Sequence, residues 1–200
     1  MVAYAMRITD LDHVELFELD PESGVVRFSG QPALIVDTFA MGTLRRYLVD
    51  NFGLVAARAV LTQFGFAQGW RAAESIKMEV EDCKQEDVLR LGPRIHALQG
   101  FLLLEDGLSD PLSTGGCTLL SSFEAEQHLL HFGRSSDPVC WTLCGLLSGY
   151  ISQATEREVY VLEDRCVSAG AAACHFLGRP KEDWGHERAD ELRFFEQSRL

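Results

Sequence analysis

Cys140, Glu163, Cys166 and Cys174 stand in the pattern C-x22-E-x2-C-x7-C. Three potential thiolates and one carboxylate are enough to complete the four-coordinate tetrahedral shell that zinc prefers. With no position left for water, a metal held in this way would be structural rather than a water activator. The same residues also read as buried thiols, because cysteine is among the most buried residue types, and the spacing is not one of the standard paired-cysteine patterns. Cys144 lies one helical turn beyond Cys140 and is an alternative ligand, whereas Cys83 and Cys117 read as packing thiols.

These residues can meet only if particular elements carry them together. Glu163 and Cys166 fall at the end of a strand predicted over 159–165, and Cys174 opens a second strand reaching 178, joined by the small-residue loop 167–173. Cys140 must come from a separate helix, predicted to start at Asp137-Pro138 and to run to about Ala154. There it would sit about three residues into the helix, where the positive end of the dipole favours a thiolate. Ser121 and Glu124 have capping-box spacing, which predicts a helix over 123–132. Upstream, the apolar run 95–104, closed by Glu105-Asp106-Gly107, and the run 117–120 read as paired strands. Residues 43–76 carry helical periodicity, with breaks expected around Asn51-Phe52-Gly53 and at Gly65. Residues 16–29 read as a hairpin turning through Asp20-Pro21-Glu22-Ser23-Gly24. The charged tail from Lys181 reads as a surface helix or the start of a linker. The fold class expected is α+β, with mixed helices and antiparallel strands around a zinc-stapled core and a small N-terminal lobe.

At 200 residues and 46% hydrophobic, the chain is long enough to bury a substantial core and too apolar to be disordered. A net charge of −12 disfavours direct contact with nucleic acid or anionic lipid. No signal peptide or membrane span is visible, so a cytoplasmic protein is expected, in which six cysteines serve as thiols or metal ligands rather than disulfides. Phosphate-loop, nucleophile-elbow and dinucleotide fingerprints are all missing from the sequence.

Three further motifs appear in order: G-P-R-I-H-A-L-Q-G at 92–100, S-F-E-A-E-Q-H at 122–128, and E-D-R-C…A-C-H-F-L-G-R at 163–179. Together with the four-ligand spacing, they make nearly the whole chain resemble the N-terminal aromatic-sensing domain of sigma-54-dependent activators of the XylR, DmpR and MopR type, including its vinyl-reductase-like portion. The resemblance implies that Cys140, Glu163, Cys166 and Cys174 hold a structural zinc. It also implies a homodimer with an exchanged N-terminal lobe and a small aromatic effector bound beside the zinc-bearing core. Residues 1–45 would be the dimerisation lobe, 46–180 the effector-binding domain, and 181–200 the start of a linker to a downstream ATPase domain.

In the same family a histidine that bonds the hydroxyl of a phenolic effector matches His96, and a pocket tryptophan falls on Leu119. Positions that tend to be aromatic in phenol sensors fall on Cys117, Cys144 and Val161, while Tyr150 keeps a hydroxyl. The resemblance thus implies a larger, less polar pocket, suited to a hydroxylated biphenyl or an alkylbenzene, with Phe101, Trp141 and Tyr160 as further candidate walls. The competing readings are a small zinc enzyme using His96 or His128 as a base, and a ligand-free dimerisation domain.

Overall fold

The computed structural model describes residues 16–79, 82–105 and 112–196, apart from the side chain of Glu79. The predicted hairpin is present as β1 (Phe17–Asp20) and β2 (Val25–Phe28), and a third strand, β3 (Gln31–Ala33), extends it into an antiparallel sheet of order β1-β2-β3. Helix α1 follows (Thr38–Glu79), then α2 (Gln85–Leu98), β4 (Leu102–Leu104), β5 (Cys117–Ser122), α3 (Phe123–Phe132), α4 (Trp141–Thr155), β6 (Val159–Arg165), β7 (Cys174–Pro180) and the short α5 (Ala189–Leu192). The second sheet is antiparallel with order β4-β5-β7-β6. The α+β class expected from the sequence is therefore the one observed.

α4 is the spine of the molecule. Almost every one of its side chains is buried, because it packs against α1 on one side and against β6 on the other. The approach to α1 depends on two glycine pairs, Gly65/Gly69 on α1 and Gly145/Gly149 on α4. A β-carbon at Gly65 would lie 2.0 Å from the Thr142 carbonyl oxygen, and one at Gly69 1.9 Å from that of Leu146. Reciprocally, one at Gly145 would meet the Thr62 carbonyl oxygen at 2.0 Å and one at Gly149 that of Phe66 at 2.1 Å. Gly65 therefore does not interrupt α1, as its sequence context suggests, but lets the two backbones touch. The break expected at Asn51-Phe52-Gly53 does occur, with Gly53 at φ 82° dividing α1 into two arms, in the left-handed region that glycine occupies without a Cβ penalty.

On its other side α4 runs along the outer edge of β6. Ser152 Oγ donates to the Val159 carbonyl and accepts from its amide, and Ser148 Oγ accepts from the Val161 amide. Cys144 hydrogen-bonds the backbone of Glu163. Positions 144, 148 and 152 thus meet 163, 161 and 159. Four helical residues advance about 6.0 Å and two strand residues about 6.6 Å, so the repeats stay in step. The serines satisfy an edge that would otherwise be open to another strand.

Four local expectations need correction. Residues 95–98 belong to α2, not to a strand, because Val88, Leu91, Ile95 and His96 form one buried helical face; Pro93 lies within this helix, and β4 is confined to Leu102–Leu104. Asp106 and Gly107, the predicted close of that run, lie outside the described residues. Ser122, not Ser121, caps α3 by accepting from the Ala125 amide, which frees Glu124 for another role. Asp137-Pro138 does not open α4, whose first turn is satisfied by two buried glutamates described below. The tail is also more than a charged surface element, since Leu192, Phe194 and Phe195 are buried and Phe195 stacks on Tyr160 at 4.8 Å.

The glycine seam makes a direct prediction. Gly69→Ala and Gly149→Ala should each lower unfolding free energy by about 1–3 kcal/mol or more, as expected for overpacking against rigid backbone. Gly115→Ala, with nothing within 4 Å of its added carbon, should change stability by no more than about 0.5 kcal/mol. Urea denaturation midpoints of the three variants check this.

Candidate metal centre and ligand pocket

β6, β7 and the start of α4 converge at one buried point. Cys140 is the residue immediately before α4 rather than a residue inside it, Glu163 lies near the end of β6, Cys166 directly follows β6, and Cys174 opens β7. Their potential ligand atoms all lie within 4.8 Å of one another, and all four residues are buried. The sulfur separations are 4.0 Å for Cys140–Cys166, 3.8 Å for Cys140–Cys174 and 3.9 Å for Cys166–Cys174. These are far too long for disulfides, whose S–S bond is about 2.05 Å. They match the edge of about 3.8 Å of a tetrahedron of thiolates about 2.3 Å from a zinc ion.

Glu163 has the matching asymmetry. Its Oε2 accepts the Cys140 backbone amide at 2.9 Å, whereas the buried Oε1 has no hydrogen-bond partner. Burial, with Cys166 beside it, pushes the carboxyl up to about 8, and burial likewise raises the Cys140 thiol. A buried acid site of this kind is costly to ionise without a cation, and a dication offsets that cost. The four residues therefore fit a metal ion, with Oε1 as the available carboxylate atom. Cys144 is outside this group and turned to the β6 edge.

The start of α4 also draws on two residues that the sequence gives no reason to connect. Glu124 of α3 accepts the Thr142 amide through Oε1 and the Leu143 amide through Oε2. Arg45 of α1 donates to Glu124 Oε1 at 3.0 Å, with both side chains only 3% exposed, and its guanidinium lies 4.0 Å from the centre of the Trp141 ring. Burial pushes the Glu124 carboxyl up, opposed by Arg45 and the two amides.

The six expected pocket residues are all buried. Cys117, Leu119, Cys144 and Val161 share one apolar cluster with the metal-site cysteines, and Tyr150 belongs to an adjoining cluster with Val88, Leu91 and Ile95. The His96 ring meets Tyr150 edge-on at 4.8 Å. The Tyr150 hydroxyl, expected to be kept for a ligand, instead donates to the Val88 carbonyl at 2.6 Å. Of the other candidate walls, Tyr160 lines a separate cleft of about 910 Å³ with Trp70, Lys181 and Phe195. Trp141 packs beneath Arg45.

His96 is the polar centre of this region. Its Nδ1 lies 3.2 Å from Gln99 Oε1, an oxygen that can only accept, so Nδ1 carries the proton. Burial holds the imidazole at about 4, and at neutral pH Nε2 is therefore a hydrogen-bond acceptor. That atom is buried and has no partner. Gln99 was missed in the sequence because its role appears only once α2 is known to continue through His96.

Fold and site together define the second sheet, with its cysteine-glutamate cluster, as a vinyl-reductase-like domain, and residues 121–180 match the family model for that domain. Residues 12–107 match the model described as activator of aromatic catabolism, and the chain belongs to the family of N-terminal sensory domains of XylR/MopR-type transcription activators. Among its relatives, the phenol regulator MopR of Acinetobacter guillouiae is 31% identical over 186 residues, covering 90% of this chain and 33% of that protein. The transcriptional regulatory protein XylR of Pseudomonas putida is 26% identical over 176 residues, covering 86% and 31%. The chain thus spans about a third of the length of these relatives. The phenol-responsive sensory domain of the transcription activator PoxR, solved with phenol, superposes with a TM-score of 0.80 at 27% identity, covering 96% of each chain. The family is one of regulatory sensory domains, not enzymes. No helix among the described residues is long and apolar enough to cross a membrane.

His96 also gives a pH prediction. Its folded-state value of about 4 lies below its ordinary 6.5, so the unfolded chain binds more protons between those values. The resulting stability is present above pH 6.5 and is lost as pH falls toward 4, up to about 3 kcal/mol at full loss. His96→Asn should flatten the fall in unfolding free energy between pH 6.5 and 4, measured by urea denaturation at several pH values. An unchanged slope would contradict the buried neutral assignment.

Proposed function

We propose that this chain is the effector-binding domain of a sigma-54-dependent activator of aromatic catabolism, and that it recognises a small aromatic compound through a hydrogen bond to His96. The observation that carries the reading is the buried, unpartnered Nε2 of His96, fixed as an acceptor by Gln99. Burying a polar atom without a partner is costly, and a ligand hydroxyl would supply the missing donor. Among the effector classes considered, a phenol or hydroxylated biphenyl satisfies this atom and an alkylbenzene does not. Leu119, in place of an indole donor, leaves His96 as the principal polar contact, with Cys117, Cys144 and Val161 offering small walls that suit a ligand larger than phenol.

In this reading the Cys140, Glu163, Cys166 and Cys174 shell holds a structural zinc that fixes α4 to the β6–β7 hairpin. The domain works as a homodimer, with residues 1–45 as the exchanged lobe; residues 1–15 lie outside the described residues. Supporting this are Leu34, Ile35, Val36 and Phe39 before and within the first turn of α1, and Leu44 and Tyr47 beyond them, all large apolar residues left exposed. A run of this kind marks an association surface. The segment from 181 leads to a downstream ATPase domain, whose repression is relieved when the effector binds one conformation better than the other. The domain itself makes no DNA or membrane contact.

Affinities of the purified domain for phenol, toluene and 2-hydroxybiphenyl, measured by calorimetry, test the reading. Wild type should favour 2-hydroxybiphenyl, and His96→Ala should weaken hydroxylated ligands by about 0.5–1.5 kcal/mol, the typical net value of a hydrogen bond, with little effect on toluene. Leu119→Trp should shift preference toward phenol. A wild type that prefers toluene, or a ranking unmoved by either substitution, would overturn the assignment of His96 and Leu119.

A further inference from the structure

Cys140 reaches the metal site from the N-terminus of a helix, so its placement depends on whatever fixes that first turn. Its own amide is held by Glu163. The next turn is held by Glu124, which takes the Thr142 and Leu143 amides with separate oxygens at 3.0 and 2.9 Å. Glu124 can accept on both oxygens at once because it is a carboxylate, and its ionised form in this dry setting is favoured by the Arg45 guanidinium at 3.0 Å. Arg45 in turn is pressed on Trp141, the residue following Cys140. Its Nε and Nη2 are buried without hydrogen-bond partners, a cost the fold accepts without any return to Arg45 itself. The two residues are 79 positions apart and come from α1 and α3, neither of which contributes a candidate ligand.

We propose that Arg45 and Glu124 are positioning residues for the metal shell, holding the first turn of α4 so that Cys140 meets Glu163, Cys166 and Cys174 at ligand distance. The inference rests on the metal reading above but concerns different residues. It also assigns a consequence to the first arm of α1. Arg45 lies between Leu44 and Arg46 on that arm, next to the exposed apolar residues Leu44 and Tyr47, so that whatever covers that surface bears on the same arm that steadies the metal helix.

The test measures zinc release from the metal-loaded domain to an excess of a chromogenic chelator, together with the ligand-field bands of the cobalt(II)-substituted protein. Groups that orient metal ligands change affinity by about 10–100-fold when removed, so Arg45→Met and Glu124→Gln should each speed release by about tenfold or more and shift the cobalt bands. Arg45→Lys, which keeps the charge but not the planar fork, should fall between. Ile76→Ala, in a core cluster that contains none of the four metal-site residues, serves as a control for stability and should release zinc at close to the wild-type rate with unaltered cobalt bands. If Arg45→Met does not fold, Glu124→Gln carries the test alone. Wild-type release rates and cobalt spectra in both variants, or changes no larger than in Ile76→Ala, would overturn the proposal while leaving the metal site intact. Wild-type protein that binds no metal would overturn both.

Discussion

Two helices in this molecule approach so closely that their backbones leave no room for a side chain, and the position of α4 follows from that contact. Gly65 and Gly69 interlock with Gly145 and Gly149, fixing the axial register of α4 against α1 at the level of individual carbonyls. Once set, that register brings Cys144, Ser148 and Ser152 opposite Glu163, Val161 and Val159, so the helix becomes the lateral neighbour of the edge strand β6. A slide of one residue along either seam would break both matches. The metal ligand Cys140 stands at the head of this doubly registered helix, and Tyr150, which borders His96, stands further along it.

Polar burial around α4 is resolved almost completely, and the exceptions are informative. Serine hydroxyls satisfy the strand edge, and two glutamates satisfy the first turn of the helix. What remains among the described residues includes Glu163 Oε1 and His96 Nε2, each buried and without a partner. Buried polar atoms in native proteins are nearly always paired. One of these atoms faces three cysteines, and the other sits beside an aromatic ring in a helix-lined core. They mark the two places where the fold calls for something besides its own side chains: a cation at the first and a hydrogen-bond donor at the second.

The sequence disclosed the elements whose signals are local. Asp20 through Gly24 gave the first hairpin, the 123–132 periodicity gave α3, and the apolar runs around Glu163 and Cys174 gave the β6–β7 hairpin. The four metal-site residues were legible from type and spacing, with the family resemblance deciding between zinc and buried thiols. Pro93 misdirected the reading of α2, since a proline before an apolar run signals a strand, whereas tertiary burial of Val88, Leu91 and Ile95 kept the helix intact. Gly65 looked like a break because close packing and chain interruption use the same residue. Glu124 looked like half of a capping box, because its true partners lie in α1 and α4 and leave no local trace. The Tyr150 hydroxyl looked available because its bond to Val88 depends on an α2 that had been read as something else.

Most depends on the buried cysteine-glutamate cluster being a structural metal site at the head of α4. Elemental analysis of the purified domain, followed by thermal unfolding with and without a strong chelator and for Cys174→Ala, tests this most directly. The expected result is one zinc per chain, a large loss of stability on chelation, and loss of both metal and the folded β6–β7 hairpin in the variant, because structural zinc contributes its binding energy to folding. Folded protein without stoichiometric metal, whose unfolding the chelator leaves unchanged, would contradict it.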